Sequence, residues 1–125
     1  MQPDIEIYLL SCPTERIIRW LEQDFSVIDM HKPSDIVTKL HLEHNGEVIP
    51  VTILEKAAGK RFTSIWFDSD KTPWENDTEC SKCAFEALEC EVRCNYQGWQ
   101  EDGQEDPDLW WHINNEGEGP FIWRL

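Results

Sequence analysis

Short apolar segments, each with its own period, follow one another through the first half of the chain. In residues 5–10, both faces of a strand would carry apolar side chains: Ile5, Ile7 and Leu9 on one, Tyr8 and Leu10 on the other. This pattern predicts a strand that is covered on both sides and therefore central in a sheet. Over residues 13–25 the apolar side chains recur at helical spacing, whereas Arg16, Arg19 and Glu22 point the other way. This spacing predicts a helix whose apolar stripe packs on the sheet.

Three further apolar segments predict an antiparallel meander. Residues 36–43 and 47–54 flank the Asn-Gly pair at 45–46, which favours a two-residue hairpin turn because both turn positions need a positive φ. The third strand is expected over 61–68. Pro50 cannot donate a hydrogen bond to a ladder, so we expect its part of the strand at an edge or a bulge.

One more strand and a second helix are predicted around this meander. The segment 26–31 predicts a short strand, which we expect beside the first strand after a right-handed crossover through the first helix. In the second half, Asp77 or Thr78 can cap a helix that runs to about Tyr96 and ends before Gly98.

Two Trp-rich segments close the chain. Residues 109–113 and 120–125 predict a hairpin, and the acidic run 101–108 before them predicts a solvated loop. With 125 residues in all, too little chain remains for a second domain. The sequence therefore predicts a single α+β domain over 1–125, with a mixed, mostly antiparallel sheet in the order β-α-β-β-β-α-β-β and both helices packed on one face.

The charge of the chain limits its partners. It has 25 acidic and 11 basic residues and a net charge of -14 at pH 7, and residues 63–125 hold 15 of the acidic ones but 4 of the basic ones. Direct binding to nucleic acid or to an anionic membrane is disfavoured, and a basic protein or peptide is the expected partner. Solubility alone is the alternative explanation. Without a membrane-length apolar run or a basic, apolar leader, we expect a cytoplasmic protein.

Aromatic and acidic residues lie together in the second half and form the candidate partner-binding set. The set is Trp99, Glu101, Asp102, Glu105, Asp106, Asp108 and Trp110. Neighbouring strand residues point to opposite faces, so Trp110 and Trp111 cannot both enter one core, and an exposed ring framed by carboxylates suits contact with Arg or Lys. The leading hypothesis is a non-enzymatic interaction domain such as an inhibitor, an immunity-like protein or a nucleic-acid mimic. Strand edges near Pro50 or Leu125 would also permit a homodimer.

Four cysteines lie close together in the sequence, at Cys80, Cys83, Cys90 and Cys94. Four thiolates can bind zinc tetrahedrally, so a small metal protein, or one with paired or redox-active thiols, is the second hypothesis. On the one helix predicted here the first and last cysteines are about 21 Å apart along the axis, too far to share an ion. We therefore expect no metal or cofactor, and cysteines that serve as small apolar residues between helix and sheet.

Cys12 carries the third hypothesis, a thiol enzyme. It lies between the first strand and the first helix, where free backbone N–H groups and Arg16 can stabilise a thiolate. The residue six positions further on is Ile18 and not the arginine of phosphatase-type loops, and no glycine-rich anion loop intervenes. The expected role of Cys12 is therefore a buried helix cap, with all five thiols reduced.

Overall fold

Eight strands form one antiparallel sheet in the computed structural model, which describes residues 4–96 and 108–124, and two helices lie against one face of this sheet. The strands are β1 (Ile5–Leu10), β2 (Ser26–Ser34), β3 (Val37–His44), β4 (Glu47–Leu54), β5 (Phe62–Phe67), β6 (Val92–Asn95), β7 (Leu109–Asn114) and β8 (Gly117–Ile122). The helices are α1 (Thr14–Asp24) and α2 (Asp77–Leu88). Across the sheet the order is β2-β3-β4-β5-β1-β6-β7-β8, which confirms the α+β class. The sheet has eight strands, where the predicted order has six, or seven with the short strand over 26–31.

β1 lies in the middle of the sheet, as its two-sided apolar pattern predicts. It pairs antiparallel with β5 on one side and with β6 on the other. Ile5, Ile7 and Leu9 are fully buried toward the helices, while Tyr8 and Leu10 on the opposite face are half-buried. We call that opposite face of the sheet the open face.

The core lies between the sheet and the two helices. The helices contribute Ile17, Trp20, Leu21, Cys80, Ala84 and Leu88 to it. Burying each large apolar side chain stabilises the fold by about 1.5–3 kcal/mol, so one shared core holds both helices on the same face. Cys80 and Ala84 are fully buried, and their small size lets α2 approach the sheet closely.

The predicted hairpin between β3 and β4 is confirmed. Asn45 and Gly46 adopt φ values of 53° and 80°, as a two-residue turn with two positive φ angles requires. Pro50 also lies where its missing N–H is tolerated. Its carbonyl accepts a hydrogen bond from the Asp68 N–H at 2.9 Å, but the ladder to β5 begins only at Val51, so no strand partner faces the proline nitrogen.

β2 is at the edge of the sheet, and the predicted position beside β1 is wrong. It pairs antiparallel with β3, to which two residues connect it. A two-residue link closes the β2–β3 hairpin at low entropic cost, whereas placing β2 beside β1 would separate β2 from β3, its neighbour in the sequence. The sheet edges are thus β2 and β8, and β4, which carries Pro50, is an inner strand.

α2 ends at Leu88, eight residues before the predicted end near Tyr96. Glu89 turns the chain with a left-handed φ of 56°, and its N–H donates to the Phe85 carbonyl at 2.9 Å. The chain then forms β6, in which Val92 and Cys94 are buried between β1 and β7. Two ladders outweigh the local helical preference of this segment, which is why the sequence-based prediction extends too far. Neither helix in the described ranges is long and apolar enough to cross a bilayer.

The last hairpin turns earlier than predicted. β7 begins at Leu109 as expected, but Asn114 already pairs with Gly117, so the return strand starts there and not at Pro120. Gly117 has a φ of 137°, which places the glycine at the turn.

Candidate functional site

One end of the sheet gathers acidic side chains from several elements. β1 begins where β5 ends, since Ile5 pairs with Phe67, and the antiparallel β6 also ends there, next to the start of β7. The loop 68–76 leads from this end into α2. We call the carboxylates of these segments the acidic end: Asp4, Glu6, Asp68, Asp70, Glu75, Asp77, Glu79 and Asp108. Within residues 4–6, 68–79 and 108, which carry these carboxylates, or bonded to their side chains, the basic residues in the part of the chain described are Lys71 and Arg124.

The carboxylates of the acidic end act on one another. Burial raises the pKa of Asp77 to about 7, the negative charges of Asp4 and Glu6 raise it further, and a hydrogen bond from the Glu6 backbone opposes the rise. Burial also raises the pKa of Glu6, with the charge of Asp4 adding to it. Like charges are therefore held close together at the start of β1 and α2, a costly arrangement that a bound cation would relieve.

Hydrogen bonds fix several of these carboxylates in place. The indole N–H of Trp66 donates to Asp4 Oδ2 at 2.7 Å, and the Glu75 N–H donates to Glu79 Oε2 at 2.8 Å. The Glu79 N–H in turn donates to Asn76 Oδ1 at 2.9 Å, which makes Asn76 the cap of α2 in place of the predicted Asp77 or Thr78.

An aromatic side chain anchors the loop 68–76 to the core. The ring of Trp74 lies 5.1 Å from that of Phe67 and 5.9 Å from those of Trp20 and Phe25. Aromatic pairs at these distances add about 0.5–1.5 kcal/mol each beyond the area they bury. The acidic loop is therefore held to the core at Trp74 as well as at the end of β5, with Asp68 and Asp70 between these two points.

The predicted partner-binding residues divide into two groups. Trp99, Glu101, Asp102, Glu105 and Asp106 lie outside the described residues. The chain leaves the described part at Tyr96 and re-enters it at Asp108, both at the acidic end. Asp108 Oδ2 is 3.4 Å from Arg124 Nε, and its side chain is 41% exposed.

Trp110 is 6% exposed, which leaves little of its ring for a partner. It points to the open face, where its ring contacts those of Tyr8 and Trp123 at 5.4 Å and 4.9 Å. Trp111 points to the helix side and stacks on Tyr96 at 5.3 Å, so the two adjacent tryptophans do face opposite ways, as the sequence predicts.

Sequence reasoning missed a cation enclosed by aromatic rings on the open face. The guanidinium of Arg93 lies 4.7 Å, 4.9 Å and 4.6 Å from the ring centres of Phe62, Phe121 and Trp123. Arg93 Nε also lies 2.7 Å from Glu91 Oε2. The alternation of apolar and polar residues in Val-Arg-Cys-Asn at 92–95 is the sequence signal that could have revealed this strand.

The four clustered cysteines do not converge on one point. Cys80 and Cys83 lie on α2, Cys94 on β6 and Cys90 in the turn between them. Across the described residues, no group of three or more His, Cys, Asp or Glu side chains could hold a metal ion. Burial raises the pKa of Cys80 well above its usual value and that of Cys94 to about 11, so both thiols keep their protons near neutral pH.

Cys90 contacts Cys12 and not the other three cysteines of its cluster. A hydrogen bond between the two thiols lowers the pKa of Cys12, burial opposes this, and the charge of Arg16 lowers the pKa further. The same bond raises the pKa of Cys90. Cys12 is 4% exposed and lies between β1 and α1 as predicted, but Pro13, not Cys12, is the N-cap of α1.

Comparison with protein-family models, curated proteins and solved structures finds no match to this chain.

Proposed function

We propose that this protein is a non-enzymatic, acidic interaction domain whose acidic end binds a basic protein or peptide. The observation that carries the proposal is the placement of eight carboxylates at one end of the sheet, against Lys71 and Arg124 among the described residues. An inhibitor, an immunity-like protein or a nucleic-acid mimic would use such a surface, since each presents fixed negative charges to a cationic partner.

The electrostatics of the acidic end support this proposal. Asp77 has a pKa of about 7, partly because Asp4 and Glu6 repel its charge. A lysine or arginine placed among these groups would neutralise that repulsion and favour the ionised form of Asp77. Binding would therefore release a proton near neutral pH, and affinity would rise as the pH rises through 7.

The other predicted partner-binding residues lie outside the described part of the chain and have the same chemical character. Glu101, Asp102, Glu105 and Asp106 carry four further negative charges, and Trp99 supplies a ring of the kind that stacks on arginine. The net charge of -14 opposes direct contact with nucleic acid or an anionic membrane. A reduced, cytoplasmic setting remains the expectation, and the five cysteines are free thiols.

The test compares two neutralised variants in binding a fluorescein-labelled peptide of about ten lysines, followed by fluorescence anisotropy from about 50 mM to about 300 mM salt. The acidic-end variant changes four exposed carboxylates to amides: Asp68→Asn, Asp70→Asn, Glu75→Gln and Glu79→Gln. We expect its affinity at low salt to fall by about tenfold and its salt dependence to weaken.

A matched control removes the same number of charges from the opposite end of the sheet. It carries Glu15→Gln, Asp35→Asn, Glu55→Gln and Glu116→Gln. We expect its affinity to stay within about threefold of the wild type, because these groups lie more than a Debye length from the acidic end. Equal losses in both variants would show that only net charge matters and would overturn the proposed site. Binding that salt does not weaken would overturn the electrostatic mechanism.

A further inference from the structure

Two cysteines that are far apart in the sequence meet at the end of the β1/β6 ladder. Leu9 pairs with Val92, and the Leu10 N–H donates to the Glu91 carbonyl at 3.0 Å, so the ladder continues toward Cys12 on one strand and Cys90 on the other. The two thiols lie close enough for each to shift the pKa of the other.

The backbone around the pair is held on both sides. Ser11, just before Cys12, has a φ of 52°, and Glu89, just before Cys90, has a φ of 56°. The Ser11 N–H donates to the Arg61 carbonyl at 2.7 Å, which ties this turn to the start of β5. Each cysteine thus directly follows a residue with a left-handed backbone, at the point where the chain turns away from the ladder.

Arg16 joins the two segments that carry the cysteines. Its Nη2 donates to the Leu88 carbonyl at 2.7 Å, which fixes the first turn of α1 to the last residue of α2. The same guanidinium lies close enough for its charge to favour the Cys12 thiolate. Arg16 therefore both positions the pair and stabilises its ionised member.

We propose that Cys12 and Cys90 form a redox site at which a hydroperoxide makes an intramolecular disulfide. This inference is independent of the proposed function. Cys12 is the attacking thiolate, because the neighbouring Cys90 thiol and the charge of Arg16 both favour its ionised form. Cys90 keeps its proton and is the resolving thiol.

The reaction consumes one hydroperoxide and two thiols. The Cys12 sulfur attacks the outer oxygen of the peroxide, the O–O bond breaks, and an alcohol or water leaves with the thiol proton, which gives Cys12 sulfenic acid. The Cys90 sulfur then attacks the Cys12 sulfur, the S–O bond breaks, and the hydroxyl leaves as water with the Cys90 proton. The peroxide is reduced by two electrons and the thiol pair is oxidised to a disulfide.

The other three cysteines provide an internal comparison. Cys80 and Cys94 are fully buried, and burial raises the pKa of both. Cys83 is half-buried, and burial raises its pKa as well. Since the thiolate is the species that reacts with peroxide, we expect these three to remain reduced while Cys12 and Cys90 are oxidised.

The experiment treats the reduced full chain with hydrogen peroxide at neutral pH and follows intact mass and free thiols, with peptide mapping after alkylation. The expected product has lost two hydrogens and retains three free thiols, and the mapped disulfide joins Cys12 to Cys90. In Cys90→Ser, dimedone traps a sulfenic acid at Cys12. In Cys12→Ser, loss of the first thiol slows by about tenfold or more. Cys83→Ser, the matched control, oxidises like the wild type.

Mapping of the wild-type chain decides the proposal even if a variant fails to fold, which circular dichroism would reveal. A disulfide that joins any other pair, or a first oxidation at Cys83, would overturn it. The proposal would also be overturned if peroxide left Cys12 reduced while it oxidised a small-molecule thiol added to the same sample.

Discussion

Replacing Arg93 tests how much a guanidinium enclosed by three aromatic rings contributes to stability. The substitution Arg93→Met keeps a long, flexible side chain against Phe62, Phe121 and Trp123 and removes the charge that lies 4.6–4.9 Å from their ring centres. It also leaves the Glu91 carboxylate, 18% exposed, without the guanidinium at 2.7 Å. Asn114 Nδ2 still donates to Glu91 at 3.2 Å.

The magnitude follows from these contacts. A cation over an aromatic ring contributes about 0.5–1 kcal/mol when exposed and about 2 kcal/mol when desolvated, and the Arg93 side chain is 21% exposed. Removing one partner of a buried ion pair costs about 3–5 kcal/mol, less for a pair that water still reaches. We expect Arg93→Met to lower the free energy of unfolding by about 2–4 kcal/mol.

A double-mutant cycle separates the two contributions. Glu91→Gln should cost about 1 kcal/mol, and the double variant should cost less than the sum of the two by about 1 kcal/mol, which measures the ion pair itself. The assay is urea unfolding followed by tryptophan fluorescence and by circular dichroism. The control is Lys39→Met, which removes an exposed cation from β3 on the open face of the sheet, the face that also carries Arg93. It should change the free energy of unfolding by less than about 0.5 kcal/mol.

Two results would refute this reasoning. If Arg93→Met were as stable as the wild type, the rings would hold a methionine as well as a guanidinium, and the contact would be packing without charge. If the cycle gave no coupling, the 2.7 Å contact between Arg93 and Glu91 would contribute nothing measurable.

Three further predictions concern α2 and its first turn. The folded-state pKa of Asp77, about 7, lies above its unfolded value of 3.8, so the protein loses stability as the pH rises from about 4 to about 7. Asp77→Asn should therefore stabilise the protein by about 1–2 kcal/mol at pH 8, after allowance for solvent screening. The gain should be much smaller at pH 5, where more of the wild-type Asp77 is protonated in the folded state. An equal gain at both values of pH, measured by urea unfolding, would show that the charge of Asp77 is not the cause. Asn76→Ala removes the acceptor of the Glu79 N–H bond and should lower the stability measured by thermal unfolding by about 1 kcal/mol. Asn76→Ser should retain most of the wild-type stability, because a serine hydroxyl can also cap a helix. Equal losses in the two variants would contradict the capping role. Ala84→Leu adds bulk where α2 meets the sheet and should cost about 1–3 kcal/mol, but the same change at the exposed Ala87 should cost almost nothing; a neutral Ala84→Leu would mean that the contact is loose.

Local periodicity accounts for the elements that the sequence predicts well. The alternation in residues 5–10, the helical spacing in α1 and the Asn45-Gly46 turn are properties of short segments, so no knowledge of distant residues is needed to predict them. The apolar faces of these elements also identify most of the core.

Pairing between distant segments accounts for what the sequence does not predict. The helical preference of residues 89–96 is overridden because β1 and β7 supply ladders on both sides of β6, and this register alone brings Cys90 to Cys12 and Arg93 to its rings. The negative charge of the second half is readable from composition. Its concentration at one end of the sheet depends on which strands begin and end there, which composition does not contain.

The acidic end and the Cys12–Cys90 pair lie at opposite ends of β1, which makes the two proposals separable. A strand of six residues spans about 20 Å, more than twice the Debye length of about 8 Å at physiological salt. Oxidation of the pair cannot therefore change peptide binding through charge alone. It could act only through α2, whose first residue belongs to the acidic end and whose last residue accepts the Arg16 hydrogen bond beside the thiols. Equal affinity of the oxidised and reduced chains for the lysine peptide would show that α2 transmits nothing. A difference between them would identify this helix as the connection and make the acidic surface responsive to peroxide.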